Sequence, residues 1–272
     1  YNSPNVTPLS FVLMTSLDNI LGLHDYSMIY ALQAEFNRVR GSFDLADLKG
    51  SKAAFGIFRS ELRETVIAVT EKDYEELRDG VGDIITTILY LAYLCDMDIK
   101  EKQVKDIYFN EGLYPCEDYT CYVNEIYKAA CDLEKAIDDQ DIEAVKHQII
   151  RVTAKTYLGL PEFSRFSIRD DLVEITRASL SKICPTVEEA EISIKNYADE
   201  GCLTYWKETP SGGYAIYSTE EQMFRGEVIS KDKFLKYYKW KSPVFEKITN
   251  EETKWNCYKN YNFEALAMLE PA

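Results

Sequence analysis

Over the first two-thirds of the chain, apolar residues recur about every 3.6 positions with polar residues between them. That period is the signature of amphipathic helices. The spacing predicts helices over 16–40, 55–69, 73–95, 98–109, 122–137, 141–158, 169–183 and 186–200. Their ends are punctuated: Gly41 stops the first, Gly159 and Pro161 end the helix at 158, and Gly201 stops the last. Asp73, with Glu76 three residues on, reads as an N-cap in a capping box. Beyond residue 200 the period shortens. Residues 203–207 and 214–218 flank Pro210-Ser211-Gly212-Gly213, a β-hairpin signal. Residues 231–240 are basic and aromatic, and the last thirty read as an irregular tail. The expected fold is mainly α: a helical bundle over 1–200, then a small C-terminal β-hairpin and a basic, aromatic extension over 201–272 packed on the bundle.

An internal repeat can be drawn between 55–95 and 123–160. A shift of 68 residues aligns Val69 with Ile137, Tyr74 with Ile142, Leu77 with Val145, Val81 with Ile149, Ile84 with Val152, and Asp73 with Asp141. The acids do not follow: Asp79 meets His147 and Asp83 meets Arg151, whereas Glu64 meets Asp132. Two readings stand. Any two amphipathic hairpins align this way, or the second is a duplicated hairpin that kept its packing face and lost its acids.

The chemistry-bearing feature is two short acidic clusters, Glu61 with Glu64 and Asp79 with Asp83, on consecutive expected helices. Spacings of three and four place each pair on one helix face. Charged residues on helices are ordinarily a solvated face, and Glu71, Glu75, Asp138 and Asp139 read so. The two pairs differ in that Asp79 and Asp83 lead straight into the apolar run from Ile84 to Leu94. Gly80 and Gly82 also lie beside them inside a helix, where Gly costs about 1 kcal/mol relative to Ala. Such a cost points to close approach of a ligand or another helix. Four carboxylates gathered at one point would repel unless hard cations with a preference for oxygen lay between them. The spacing therefore suggests a metal site that handles phosphates.

Bulk properties narrow the surroundings. The chain has 272 residues and a net charge of −15, which disfavours a broad nucleic-acid-binding surface even with the basic stretch at 231–241. No run of 18 apolar residues suggests a membrane span, and the first residues lack a signal-peptide pattern, so a cytoplasmic protein is expected. The seven Cys are irregularly spaced and only two His are present, which disfavours a zinc site and fits reduced thiols.

The acidic pattern resembles the all-α nucleoside triphosphate pyrophosphatase superfamily, which includes MazG-like proteins, phosphoribosyl-ATP pyrophosphatases and dimeric dUTPases. Its signature is Glu-Glu-x-x-Glu on one helix and Glu-x-x-Asp on the next. Glu61 and Glu64 match the later two acids of the first motif, with Ser60 in the leading place. Asp83 matches the final Asp; the other acid falls at Gly80, and Asp79 stands one residue before it, with Glu76 in reserve. Residues 174–182 (Glu-Ile-Thr-Arg-Ala-Ser-Leu-Ser-Lys) are similar to a second motif of phage-encoded members, and Lys233-Phe234-Leu235-Lys236 to a third. The resemblance implies a bundle binding Mg²⁺, with Mn²⁺ as a substitute, through Glu61, Glu64, Asp79 and Asp83. It implies cleavage of a (d)NTP to the (d)NMP and pyrophosphate, with Glu61 accepting the proton of the attacking water and Lys182 supplying positive charge. Arg177, Lys233 and Lys236 would help hold the substrate, and Asn37 would line the base pocket. A homodimer, a phage origin and a host-cytoplasmic location are compatible with it. Ser60 and Gly80 leave two rivals open: a nucleotide-sequestering protein on the same fold, and a helical interaction protein.

Overall fold

The computed structural model describes residues 48–245 other than 98, 163, 165, 210 and 211. The expected helix at 16–40, Asn37 and most of the C-terminal tail lie outside the described residues. The chain divides into two compact units, which among the described residues are 48–175 with 244–245, and 176–243.

The first unit is helical. Its elements are α1 (Leu48–Glu71), α2 (Tyr74–Leu94), α3 (Glu101–Asn110), α4 (Tyr119–Asp138), α5 (Ile142–Leu158) and the start of α6 (Ile168–Leu180). Phe58, Leu62, Val66 and Val69 of α1 recur at the helical period and are fully buried, with Leu77, Val81, Ile84 and Ile88 of α2 and Val145, Ile149 and Val152 of α5. Each such side chain contributes roughly 1.5–3 kcal/mol by leaving water. This is the core anticipated from the periodicity. Helix α1 already includes Leu48, seven residues before the expected start, and Ser51 is buried.

The turns that fold these helices back repeat one geometry. At the end of α1, Lys72 adopts a left-handed conformation (φ 60°), its N–H bonds the Val69 carbonyl at 3.3 Å, and the Asp73 N–H bonds the Ala68 carbonyl at 2.9 Å. This is a Schellman stop. The Asp73 carboxylate then accepts from the Glu75 and Glu76 N–H groups and caps α2. Because the Asp73 N–H is already taken by Ala68, the reciprocal half of the expected capping box is not formed. The α4–α5 turn does the same 68 residues later. Gln140 (φ 57°) and Asp141 bond Ile137 and Ala136, and Asp141 caps α5 through the Ala144 N–H at 3.0 Å. Of the five apolar pairs aligned by the shift, four are buried in both copies; Tyr74 is buried whereas Ile142 is exposed.

The second unit contains the end of α6, α7 (Val187–Asp199) and five short strands: β1 (Thr204–Glu208), β2 (Tyr214–Ser218), β3 (Gln222–Phe224), β4 (Glu227–Ile229) and β5 (Phe234–Leu235). Strands β1 and β2 are the expected hairpin, and β5 pairs with β2 to give an antiparallel β1-β2-β5 sheet. Strands β3 and β4 form a separate ribbon turned by Arg225 and Gly226, both at positive φ. Its own core is Cys184, Ala190, Cys202, Ile216, Ile229 and Leu235. The units part at Ile175, earlier than the residue-200 boundary expected, because α7 buries Ala190 in this core. Helical periodicity alone does not say which core a helix serves. The fold is thus mainly helical with a small C-terminal antiparallel sheet, and no helix among the described residues is long and apolar enough to cross a membrane.

Candidate functional site

Glu61 and Glu64 lie on α1, and Asp79 and Asp83 on α2, both in the helical unit. The two helices are joined by two residues and pack antiparallel, with Gly80 against Thr65. A Cβ at Gly80 would collide with Thr65 Oγ1 and lie 3.1 Å from Thr65 Cβ and 3.2 Å from Thr65 Cα. Gly82 likewise accommodates Ile175 of α6, whose Cδ1 occupies the space a Cβ would need. The close approach signalled by the two glycines is therefore that of neighbouring helices.

This contact sets the level of the acids. In an antiparallel pair that touches at 65 and 80, Glu61 stands level with Asp83 and Glu64 with Asp79, to within about 3 Å along the axis at 1.5 Å per residue. Glu61 shares the face of Thr65, whose hydroxyl donates to the Glu61 carbonyl at 2.8 Å. The Thr87 hydroxyl donates to the Asp83 carbonyl at 2.7 Å. Glu61, Asp79 and Asp83 are half-buried and Glu64 is exposed. In the second hairpin, Asp132 and Arg151, 68 residues beyond Glu64 and Asp83, meet across α4 and α5 at 2.6 Å. Arg151 also holds Glu111 at 2.9 Å. Among the described residues, no group of three or more His, Cys, Asp or Glu side chains comes together as a metal site. Two of the candidate acids lie on each of the two neighbouring helices. Glu76 is exposed, and its N–H is engaged by Asp73 at the helix cap.

The residue beside Asp79 is anchored. Arg78 makes a two-pronged ion pair with Asp171 of α6, Nε and Nη2 donating at 2.8 and 2.6 Å, and both residues are buried. The Phe166 and Phe245 rings lie 5.6 and 4.9 Å from the guanidinium carbon. Burial pushes the Asp171 carboxyl up, and Arg78 opposes that. A partner 93 residues away leaves no local signal, so sequence reasoning missed this pair.

Lys182, Arg177, Lys233 and Lys236 belong to the second unit. Lys182 is half-buried just past α6, and Arg177 donates to the Ser242 carbonyl at 3.4 Å. Lys233 is exposed, with its backbone paired to Ser218 beside the sheet. Lys236 places its ammonium 3.6 Å from the centre of the Trp240 ring. Asn37 falls outside the described residues.

The chain is similar to an uncharacterized protein of Acanthamoeba polyphaga mimivirus, at 21% identity over an alignment covering 68% of this chain and 79% of the viral protein. No protein-family profile and no solved structure matches it.

Proposed function

We propose that the chain is a Mg²⁺-dependent nucleoside triphosphate pyrophosphohydrolase that converts a (d)NTP to the (d)NMP and pyrophosphate. The observation that carries the reading is the α1–α2 crossing at Thr65 and Gly80, which brings the Glu61–Glu64 and Asp79–Asp83 pairs level on facing helices. The order of the motifs along the sequence supports it. Bound Mg²⁺, or Mn²⁺ in its place, would neutralise charge on the departing pyrophosphate. Glu61, half-buried on the contact face, is the proposed acceptor of the proton from the attacking water.

A second reading is favoured by a specific observation: the described residues hold no group of three or more metal-ligating side chains, and Gly80 packs on Thr65 where the superfamily has an acid. It makes the chain a nucleotide-binding protein without turnover. Pyrophosphate release from a panel of NTPs and dNTPs, with and without Mg²⁺, separates the two. The enzyme reading expects Mg²⁺-dependent release from one or a few nucleotides, reduced at least a hundredfold in Glu64→Gln with an unchanged circular dichroism spectrum. Binding without release from any nucleotide selects the second reading.

A further inference from the structure

Helix α2 is held from two sides. Arg78 and Gly82, four residues apart, share one of its faces. Both meet α6: Arg78 forks onto Asp171 at 2.8 and 2.6 Å, and the Ile175 side chain fills the space beside Gly82. Asp171 and Ile175 are themselves four residues apart, so α2 and α6 run side by side in register, with Arg78 opposite Asp171 and Gly82 opposite Ile175. Gly80, two residues and so about 200° of helix beyond Arg78, meets Thr65 of α1. Asp79 and Asp83 each follow a residue that touches α6 by one position, about 100° of turn. These two acids therefore lie between the held faces of α2, and any rotation of the helix about its axis moves both of them.

The two glycine contacts are van der Waals contacts and set distance. The Arg78–Asp171 pair is directional, because two parallel N–H···O bonds match a planar guanidinium to a carboxylate in one orientation. It is also shut away from water. Both side chains are more than nine-tenths buried, and the Phe166 and Phe245 rings lie against the guanidinium. Burying such a pair adds little net stability, since the loss of hydration offsets the attraction. We infer that Arg78, held by Asp171, is a positioning residue that fixes the rotation and height of α2 and so places Asp79 and Asp83 level with Glu61 and Glu64 for Mg²⁺. This role presupposes the proposed hydrolase. It matters because reacting groups displaced by about 1 Å can lose about a hundredfold in rate.

The test measures pyrophosphate release from a panel of NTPs and dNTPs against Mg²⁺ concentration. Arg78→Met alone leaves Asp171 charged and buried without a partner, and that can unfold the chain. It is therefore combined with Asp171→Leu, which removes both charges at similar volume. The double variant should keep a urea midpoint near that of the unaltered chain, yet need at least fivefold more Mg²⁺ for half-maximal release. Arg78→Lys keeps the charge but loses the fork, and should fall between the two. A pair that only supports the fold would lower the maximal rate in step with the folded fraction and leave the half-saturating Mg²⁺ unmoved. That result in the folded double variant overturns the positioning role and leaves the hydrolase standing; if the double variant does not fold, Arg78→Lys decides on the same readout. No release from the unaltered chain at any Mg²⁺ concentration overturns the hydrolase, and this role with it.

Discussion

At Gly80 an absent side chain decides how closely α1 and α2 approach, and hence how level their acids stand. Ala there would gain about 1 kcal/mol of helix preference but force a methyl group into Thr65, an overpacking that costs about 1–3 kcal/mol. The backbone of Thr65 is itself only 3.2 Å from the new atom, so relief by a rotamer change is incomplete. Gly80→Ala should therefore lower the urea midpoint. Adding Thr65→Ala, which removes the colliding hydroxyl, should cost less than the two single losses combined; a stabilised Gly80→Ala would mean that the helices are not in contact at this point. The glycines were legible as a mark of close approach because their helix cost needs a reason. What approaches was not legible: Thr65 is 15 residues away and Ile175 is 93 residues beyond Gly82, and nothing local encodes either partner.

The element boundaries show what local chemistry can encode. Asp73, Asp141 and Thr186 cap helices where polar residues precede apolar periods. Strands β3, β4 and β5 were missed because two or three residues carry too little alternation, and Arg225-Gly226 is not one of the strong hairpin pairs. The left-handed stops at Lys72 and Gln140 were equally silent, since neither is Gly. A non-Gly residue there is strained, so Lys72→Gly and Gln140→Gly should each raise stability by up to about 1 kcal/mol. Equilibrium urea unfolding reads this directly, and a loss of stability at both positions would contradict the left-handed assignment. Between α4 and α5, Glu125 accepts from buried Lys155 at 2.6 Å and from Lys128 at 2.9 Å. Burial pushes the Glu125 carboxyl up, but the two lysines more than reverse this and leave it below its usual 4.5. The unfolded chain then takes up the proton first as pH falls. The stabilisation is present above pH 4.5 and is lost as pH drops through the lower folded value. Glu125→Gln should be less stable than the unaltered chain at neutral pH, and the difference should shrink on acidification below 4.5. A constant difference would remove Glu125 from the linkage.

Across the whole molecule, charge divides as unevenly as secondary structure. Residues 48–175 hold 16 Lys and Arg against 26 Asp and Glu, a net −10, whereas residues 176–243 hold ten of each. The candidate acids thus sit in the acidic unit and the candidate phosphate-holding cations in the neutral one. The sequence made the residue types and helices of the acids legible, because spacing of three and four suffices for that. It did not reveal how nearly level the two pairs stand, which depends on where α1 and α2 touch. On the proposed function, a nucleoside triphosphate with its several negative charges would meet a helical unit that repels it over roughly a Debye length, about 10 Å at 0.1 M salt and about 30 Å at 0.01 M. Added monovalent salt would screen that repulsion, whereas the proposed divalent cation between the acid pairs and the phosphates would turn it into attraction. Nucleotide affinity measured by calorimetry should therefore be weakest in a chelator at low ionic strength and improve modestly as salt is raised under the same conditions. With Mg²⁺ at constant ionic strength it should rise by tenfold or more, and Asp83→Asn should lose most of that gain. Binding that is equally tight in the chelator and in Mg²⁺, and that weakens with salt, would instead mean that lysines alone hold the phosphates and that Glu61, Glu64, Asp79 and Asp83 take no part.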